Sequence, residues 1–201
     1  MSTTMFTAKD VQTLRQKTGA GMMECKRALE ENKGDMSKAE EYLRVKGIAK
    51  AEKRAGKQTS EGIITSYIHH NGKVGVLVEV NCETDFVART DDFKQLAREI
   101  ALHIASAAPI SVDREGVSPD KVAVERRIAE EQARASGKPD NIVQRMVEGK
   151  VEAFYKDVCL MQQPWIREPK KTIGDLVKEA SAKVGENIQV RRFVRFQMGE
   201  E

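Results

Sequence analysis

Cysteine is scarce in this chain, with three in 201 residues. Cys25, Cys82 and Cys159 lie far apart, their number is odd, and no C-x-x-C pair occurs. That pattern excludes a disulfide scaffold and fits a reducing compartment, with small core positions as the ordinary use of the thiols. Aromatic residues are 5% of the chain, and there is one Trp. So few rings argue against an aromatic-rich sandwich and against a stacking platform for single-stranded nucleic acid. The net charge is only +3, whereas a nucleic-acid footprint needs a concentrated basic face; no direct nucleic-acid partner is expected. No apolar run approaches the ~20 residues that span a bilayer, and the N-terminus has neither an apolar h-region nor an Arg-rich transit character. A soluble, cytoplasmic protein without a membrane partner is expected.

Catalytic signatures are missing too. There is no H-E-x-x-H, G-x-S-x-G, P-loop or dinucleotide glycine motif. His69 and His70 are consecutive on a predicted strand and point to opposite faces, so they do not chelate one metal. His103 falls off the Ile100/Ile104 stripe and is expected to face solvent. The expectation is a protein with no covalent chemistry, no catalytic residue, no metal and no cofactor.

What is present is core-forming material: 40% hydrophobic and 32% charged residues, too apolar for a disordered chain. The charge is uneven, at +5 over residues 1–60, −5 over 61–120 and +3 over 121–201, which points to separate modules or surfaces. Residues 1–54 read as a three-helix docking module. Thr7 caps the first helix with Asp10 at N3, and Ala8, Val11 and Leu14 follow at helical spacing. Thr18-Gly19-Ala20-Gly21 breaks the pattern; it reads as a helix corner, or as an anion site before the next helix. Met22, Cys25 and Leu29 begin the second helix, with Met23 at its edge. Asp35 caps the third, whose buried face is Met36, Ala39, Tyr42 and Leu43. Residues 55–60 form a linker at the end of the basic stretch 48–60.

From residue 61 the texture is β-rich. GIITSYIHH and KVGVLVEVN flank Asn71-Gly72, a strong hairpin signal, with Gly62-Ile63-Ile64 expected opposite Val74-Gly75-Val76. Thr90 caps a helix carrying Phe93, Leu96, Ala97, Ile100, Ala101 and Ile104 as one apolar stripe. Residues 110–112 suggest a short strand. A helical hairpin spans about 119–158, then an irregular segment holds Trp165. Thr172 caps a last helix, Gly185 ends it, and 188–196 form a closing strand. The fold class is α+β: a three-helix module, then an antiparallel sheet domain at 61–201 with packed helices and the helical hairpin.

Thr84-Asp85-Phe86-Val87 runs a strand end straight into a helix cap. On the residues alone, Phe86 either tucks under the sheet with Asp85 in a local turn bond, or stands as a rigidly mounted wedge for a partner protein.

The segments Leu14-Arg15-x-x-Thr18-Gly19-Ala20-Gly21-Met22-Met23-Glu24-Cys25-Lys26, Gly34-Asp35 and Thr84-Asp85-Phe86-Val87-Ala88 resemble the elongation factor Ts family. So do Gln163-Pro164, Gly185-Glu186-Asn187-Ile188 and Arg191-Arg192-Phe193, in matching order over essentially the whole chain. Glu24 departs from the family's commoner Asp. The resemblance implies a guanine-nucleotide exchange factor for elongation factor Tu, the GTPase that delivers aminoacyl-tRNA to the ribosome. It implies an N-terminal module similar to ubiquitin-associated three-helix domains. Arg15, Met22 and Met23 would touch the GTPase's nucleotide domain, and the loop of Thr84, Asp85, Phe86 and Val87 would grip it too, with Asp85 and Phe86 as the wedge that disturbs the Mg²⁺ and phosphate region. His69 would reach the partner from the hairpin. The chain looks like the family's short form, whose members act as homodimers. Other readings are a helical adaptor without exchange activity and an RNA-binding arm at Lys50–Lys57.

Overall fold

The computed structural model describes residues 6–200. Its elements are α1 (Ala8–Thr18), α2 (Met22–Glu31), α3 (Met36–Glu52), β1 (Glu61–Ile68), β2 (Val74–Cys82), α4 (Asp85–Ala88), α5 (Asp91–Ala107), α6 (Pro119–Arg134), α7 (Asp140–Val158), β3 (Pro164–Trp165), β4 (Glu168–Thr172), α8 (Ile173–Val184) and β5 (Gln189–Gln197), with a 3₁₀ turn at Leu160–Gln162. The α+β class holds. One sheet has the order β1-β2-β5, and β3 pairs with β4 in a two-stranded ribbon. Among the described residues no helix is long and apolar enough to cross a membrane.

The chain forms two compact units. The first comprises the chain up to Gly62, Asn81–Phe93 and Val177–Gln189; the second comprises Ile63–Val80, Lys94–Leu176 and the chain from Val190.

In the first unit each helix start is chemically specified. Thr7 and Asp10 form the expected capping box on α1, and the Asp35 carboxylate accepts from Lys38 N on α3. Val11, Leu14, Cys25, Ala28, Leu29 and Ala39 form a buried cluster, with Met36, Tyr42 and Leu43 packed against it. Burying a side chain such as Leu14 or Leu29 contributes about 1.5–3 kcal/mol, so these few residues hold the small core together. The Thr18–Gly21 segment is a helix corner. Cys25 lies beneath it, with Sγ donating to Ala20 O at 3.7 Å, and Gly21 N donates to Glu24 Oε2 at 3.3 Å. That carboxylate takes the amide an anion would need. Farther along, α8 lies against α3, where a Cβ added at Gly47 would stand 3.0 Å from Ala182 Cβ; glycine permits this approach.

In the second unit β1 and β2 form a hairpin closed by His69 N donating to Val74 O at 2.9 Å. The connection is residues 69–73, and Gly72 takes φ +69° in it. The hairpin was expected, its register was not: Ile68 packs over Gly75, 3.1 Å from where a Cβ would sit. Position 75 thus faces 68, and Gly62–Ile64 lie at the far end of the ladder. The longer turn sets this, because strand register follows connection length. It also leaves both His69 and His70 outside β1, and their rings meet at 4.2 Å between centroids instead of pointing to opposite faces of a strand.

The α5 residues Leu96, Ala97, Ile100, Ala101 and Ile104 are buried as expected. His103 is buried too, contrary to the solvent-facing expectation. Its flank of α5 is covered by Gln163, whose Nε2 donates to Asp157 O at 2.6 Å and Ala107 O at 3.3 Å. The amide orientation is thereby set, and Gln163 Oε1 accepts from His103 Nε2–H at 3.0 Å. Burial holds the imidazole pKa below its usual value, opposed by the Gln163 hydrogen bond. The expected strand at 110–112 is reduced to a single bridge, Ser111 to Cys159. The ribbon β3–β4 replaces the expected irregular segment; Pro and charge run through Glu168–Thr172 hide a strand from pattern reading. The hairpin of α6 and α7 is present, cored by Ala129, Ala133, Val143 and Val147. All three cysteines are free and buried.

One face of the sheet is open. In β2, Val76, Val78 and Val80 are buried, so the alternation turns Leu77 the other way. Ile68 over Gly75 places Ile64 and Ile68 on that same side. Arg192 Nε donates to Glu79 Oε2 at 2.7 Å, which aligns Val194 and Phe196 with them; Met198 follows just past the strand end. All six apolar side chains are exposed, Phe196 at 68% and Met198 at 72%.

Candidate functional site

The Thr84–Val87 loop begins where β2 ends. Thr84 caps α4, its hydroxyl accepting from Val87 N at 3.4 Å. The helix is one turn long, and successive side chains point about 100° apart. Val87 and Ala88 are buried beneath it, which turns the preceding side chain outward. Phe86 is 76% exposed. The structure thus overturns the reading in which Phe86 tucks under the sheet. Asp85 is exposed and ion-paired with Arg89.

The loop is held from behind by groups the sequence patterns did not single out. Glu186 accepts from Glu83 N at 3.2 Å, Thr84 N at 3.1 Å and Thr84 Oγ1–H at 2.6 Å. Glu83 accepts from Arg54 Nε at 3.0 Å, Arg54 Nη2 at 2.8 Å and Asn187 N at 2.7 Å. Asn187 Nδ2 donates to Ala55 O at 3.2 Å and Lys57 O at 2.9 Å. The Arg54 hydrogen bonds, then that of Asn187 N, bring the Glu83 carboxyl down to about 2. The Cys82 thiol beside it is pushed up to about 11 by burial and by the Glu186 charge, so it is no nucleophile at neutral pH. The available signals were Glu186-Asn187 in a family-like block and Arg54 in a basic run. Neither reveals a partner roughly thirty or a hundred residues away. The same pairing bears on the basic stretch: Lys50 lies 3.7 Å from Glu24, and Arg54 and Lys57 are held by Glu83.

The depressed Glu83 pKa has a sign for stability. The carboxylate form is favoured by folding, so its contribution is full above the unfolded value near 4.5 and disappears as pH falls through about 2. Thermal melts of wild type and Glu83→Gln from neutral pH downward check this. The gap between the two melting temperatures is widest at neutral pH and closes over that acid window; a gap independent of pH would refute the assignment.

Of the other anticipated site residues, Arg15 is exposed on α1. Met22 and Met23 begin α2 with 44% and 71% exposure. They share the first compact unit with Thr84, Asp85, Phe86 and Val87. His69 belongs to the second unit, half-buried, with Nδ1 at 3.1 Å from the Tyr67 hydroxyl. Among the described residues no group of His, Cys, Asp or Glu is arranged to hold a metal ion.

Comparison with known proteins identifies the family. The family model described as Elongation factor TS matches residues 2–200. Elongation factor Ts of Carboxydothermus hydrogenoformans is 56% identical over 98% of this chain and 90% of its own length. That of Fervidobacterium nodosum is 56% identical over 97% of this chain and 99% of its own. That of Anaeromyxobacter sp. strain K is 57% identical over 97% and 89%. The match runs through both compact units and every block that carries the exposed loop and its supports, and the chain belongs to the elongation factor Ts family of translation elongation factors.

Proposed function

We propose that the protein is a guanine-nucleotide exchange factor that binds elongation factor Tu and promotes GDP release, without making or breaking a covalent bond. The observation that carries this is Phe86: an aromatic side chain 76% exposed on a loop whose backbone is fixed by charged hydrogen bonds. A rigidly mounted, exposed aromatic side chain is the form that an anchor for a partner protein takes. Arg15, Met22 and Met23 supply docking contacts from the same unit, and His69 a further one from the hairpin. The work is done in the cytoplasm.

The energetics require several contacts. A GTPase holding GDP at nanomolar affinity does so with about 12 kcal/mol, while burying one Phe yields about 1.5–3 kcal/mol. Phe86 therefore acts within a broad interface with the nucleotide-free GTPase. Linkage makes the coupling reciprocal: a factor that weakens GDP is itself weakened by GDP, so the ternary complex is transient.

The factor acts as a homodimer. The support is the open face of the β1-β2-β5 sheet, with Ile64, Ile68, Leu77, Val194, Phe196 and Met198 uncovered. An apolar sheet face with a charged pair at its end, Arg192 and Glu79, suits a second copy of itself.

The test is release of a fluorescent GDP analogue from elongation factor Tu in stopped flow. The expected result is a release rate that rises with factor concentration to a plateau far above the spontaneous rate. Stable binding to the GTPase with no acceleration would leave the adaptor reading in its place.

A further inference from the structure

The loop that carries Phe86 is tied to the helical module by two carboxylates outside the surface assigned to docking. Glu186 accepts three hydrogen bonds from Glu83 N, Thr84 N and the Thr84 hydroxyl. Glu83 receives a two-nitrogen fork from Arg54, the second residue after α3, and a third bond from Asn187 N. A connected path runs from the end of α3 through Arg54 and Glu83 to the base of the Phe86 turn, and Glu186-Asn187 ties its two ends together. The whole path lies in the first compact unit, with Arg15, Met22 and Met23.

We propose that Arg54, Glu83 and Glu186 are positioning residues for nucleotide exchange, which make the docking helices and the Phe86 loop one rigid body. The proposal rests on the exchange reading above. A loop free to swing would spend docking free energy on its own ordering; a fixed one directs it at the nucleotide site. Folding by itself does not demand the Glu186 contacts to Thr84. Thr84, Asp85 and Phe86 are exposed, so without Glu186 water can satisfy the Thr84 amide and hydroxyl. What Glu186 adds is a single direction for Phe86. Charged and two-nitrogen hydrogen bonds are the strong, geometrically strict kind suited to that.

The experiment is GDP-analogue release from elongation factor Tu across a range of factor concentrations, with melting curves as a control of folding. Glu186→Ala is expected to lower the plateau rate about tenfold while the half-saturating concentration moves less than about threefold. Glu186→Gln is expected to recover most of the rate, since its amide oxygen accepts the two backbone bonds and its NH₂ donates to Thr84 Oγ1. In a Phe86→Ala background, Glu186→Ala is expected to change the rate less than about twofold, because both act through one side chain. Arg54→Met tests the same path without touching Glu186 and is expected to lower the plateau in the same way. A wild-type plateau for Glu186→Ala overturns the proposal. So does an equal loss in the Phe86→Ala background, or a shift confined to the half-saturating concentration. Should Glu186→Ala fail to fold, the Arg54→Met plateau decides. No acceleration by the wild-type factor at any concentration rejects the exchange reading, and the positioning role with it.

Discussion

Phe86→Ala is expected to lower the plateau rate of GDP release from elongation factor Tu by about ten- to a hundredfold. The size follows from burial: covering one Phe is worth about 1.5–3 kcal/mol, and each 1.4 kcal/mol is a factor of about ten. The loss falls on the plateau and less on the half-saturating concentration if Phe86 makes its contact as the nucleotide leaves, since an interaction formed only in the activated state sets rate and not ground-state affinity. The fold is unaffected, because a side chain 76% exposed contributes little to it. The measurement is single-turnover release at saturating factor, with circular dichroism to confirm structure. A plateau equal to wild type removes Phe86 as the wedge and leaves the docking helices to explain exchange.

Phe196→Arg is expected to weaken self-association by at least about a hundredfold. Phe196 is 68% exposed on the open sheet face, with Val194 on its strand, Met198 just past its end, and Ile68 and Leu77 on the neighbours. In a two-fold dimer each substitution appears twice, so one change brings two unpaired guanidinium groups into an apolar contact. Desolvating an unpaired charge costs several kcal/mol, well beyond the contact it replaces. The monomer keeps its fold, since a side chain 68% exposed contributes little to it and the Arg192–Glu79 pair is untouched. Multi-angle light scattering across a dilution series checks this: wild type runs at twice the chain mass and the variant at once. A wild type that is monomeric at every concentration removes the homodimer, and a variant that stays dimeric places the interface elsewhere.

Local chemistry was legible and distant chemistry was not. The capping box at Thr7 and Asp10, the Asp35 cap, the α5 stripe and the Pro119 helix start were all readable, because each depends on residues within one or two turns. The motif blocks were readable for the same reason, being contiguous. The failures have separate causes. His103 was placed in solvent because periodicity describes a helix with one covered face; Gln163, sixty residues on, covers a second. The β1–β2 register slipped because Asn71-Gly72 implies a two-residue turn, while the chain uses residues 69–73. The β3–β4 ribbon was missed because its strands carry Pro and charge instead of alternation.

By itself the sequence determined the class of fold, the family and the identity of the loop, since caps, stripes and contiguous motifs are set by neighbours along the chain. Only the tertiary structure decided how the loop is presented. Phe86 points outward because Val87 and Ala88 are buried beneath it. Its base is held by Glu186, some hundred residues away, and by Arg54, roughly thirty residues away. Those partners meet through folding alone, so their charges look like ordinary surface charge until the chain brings them together.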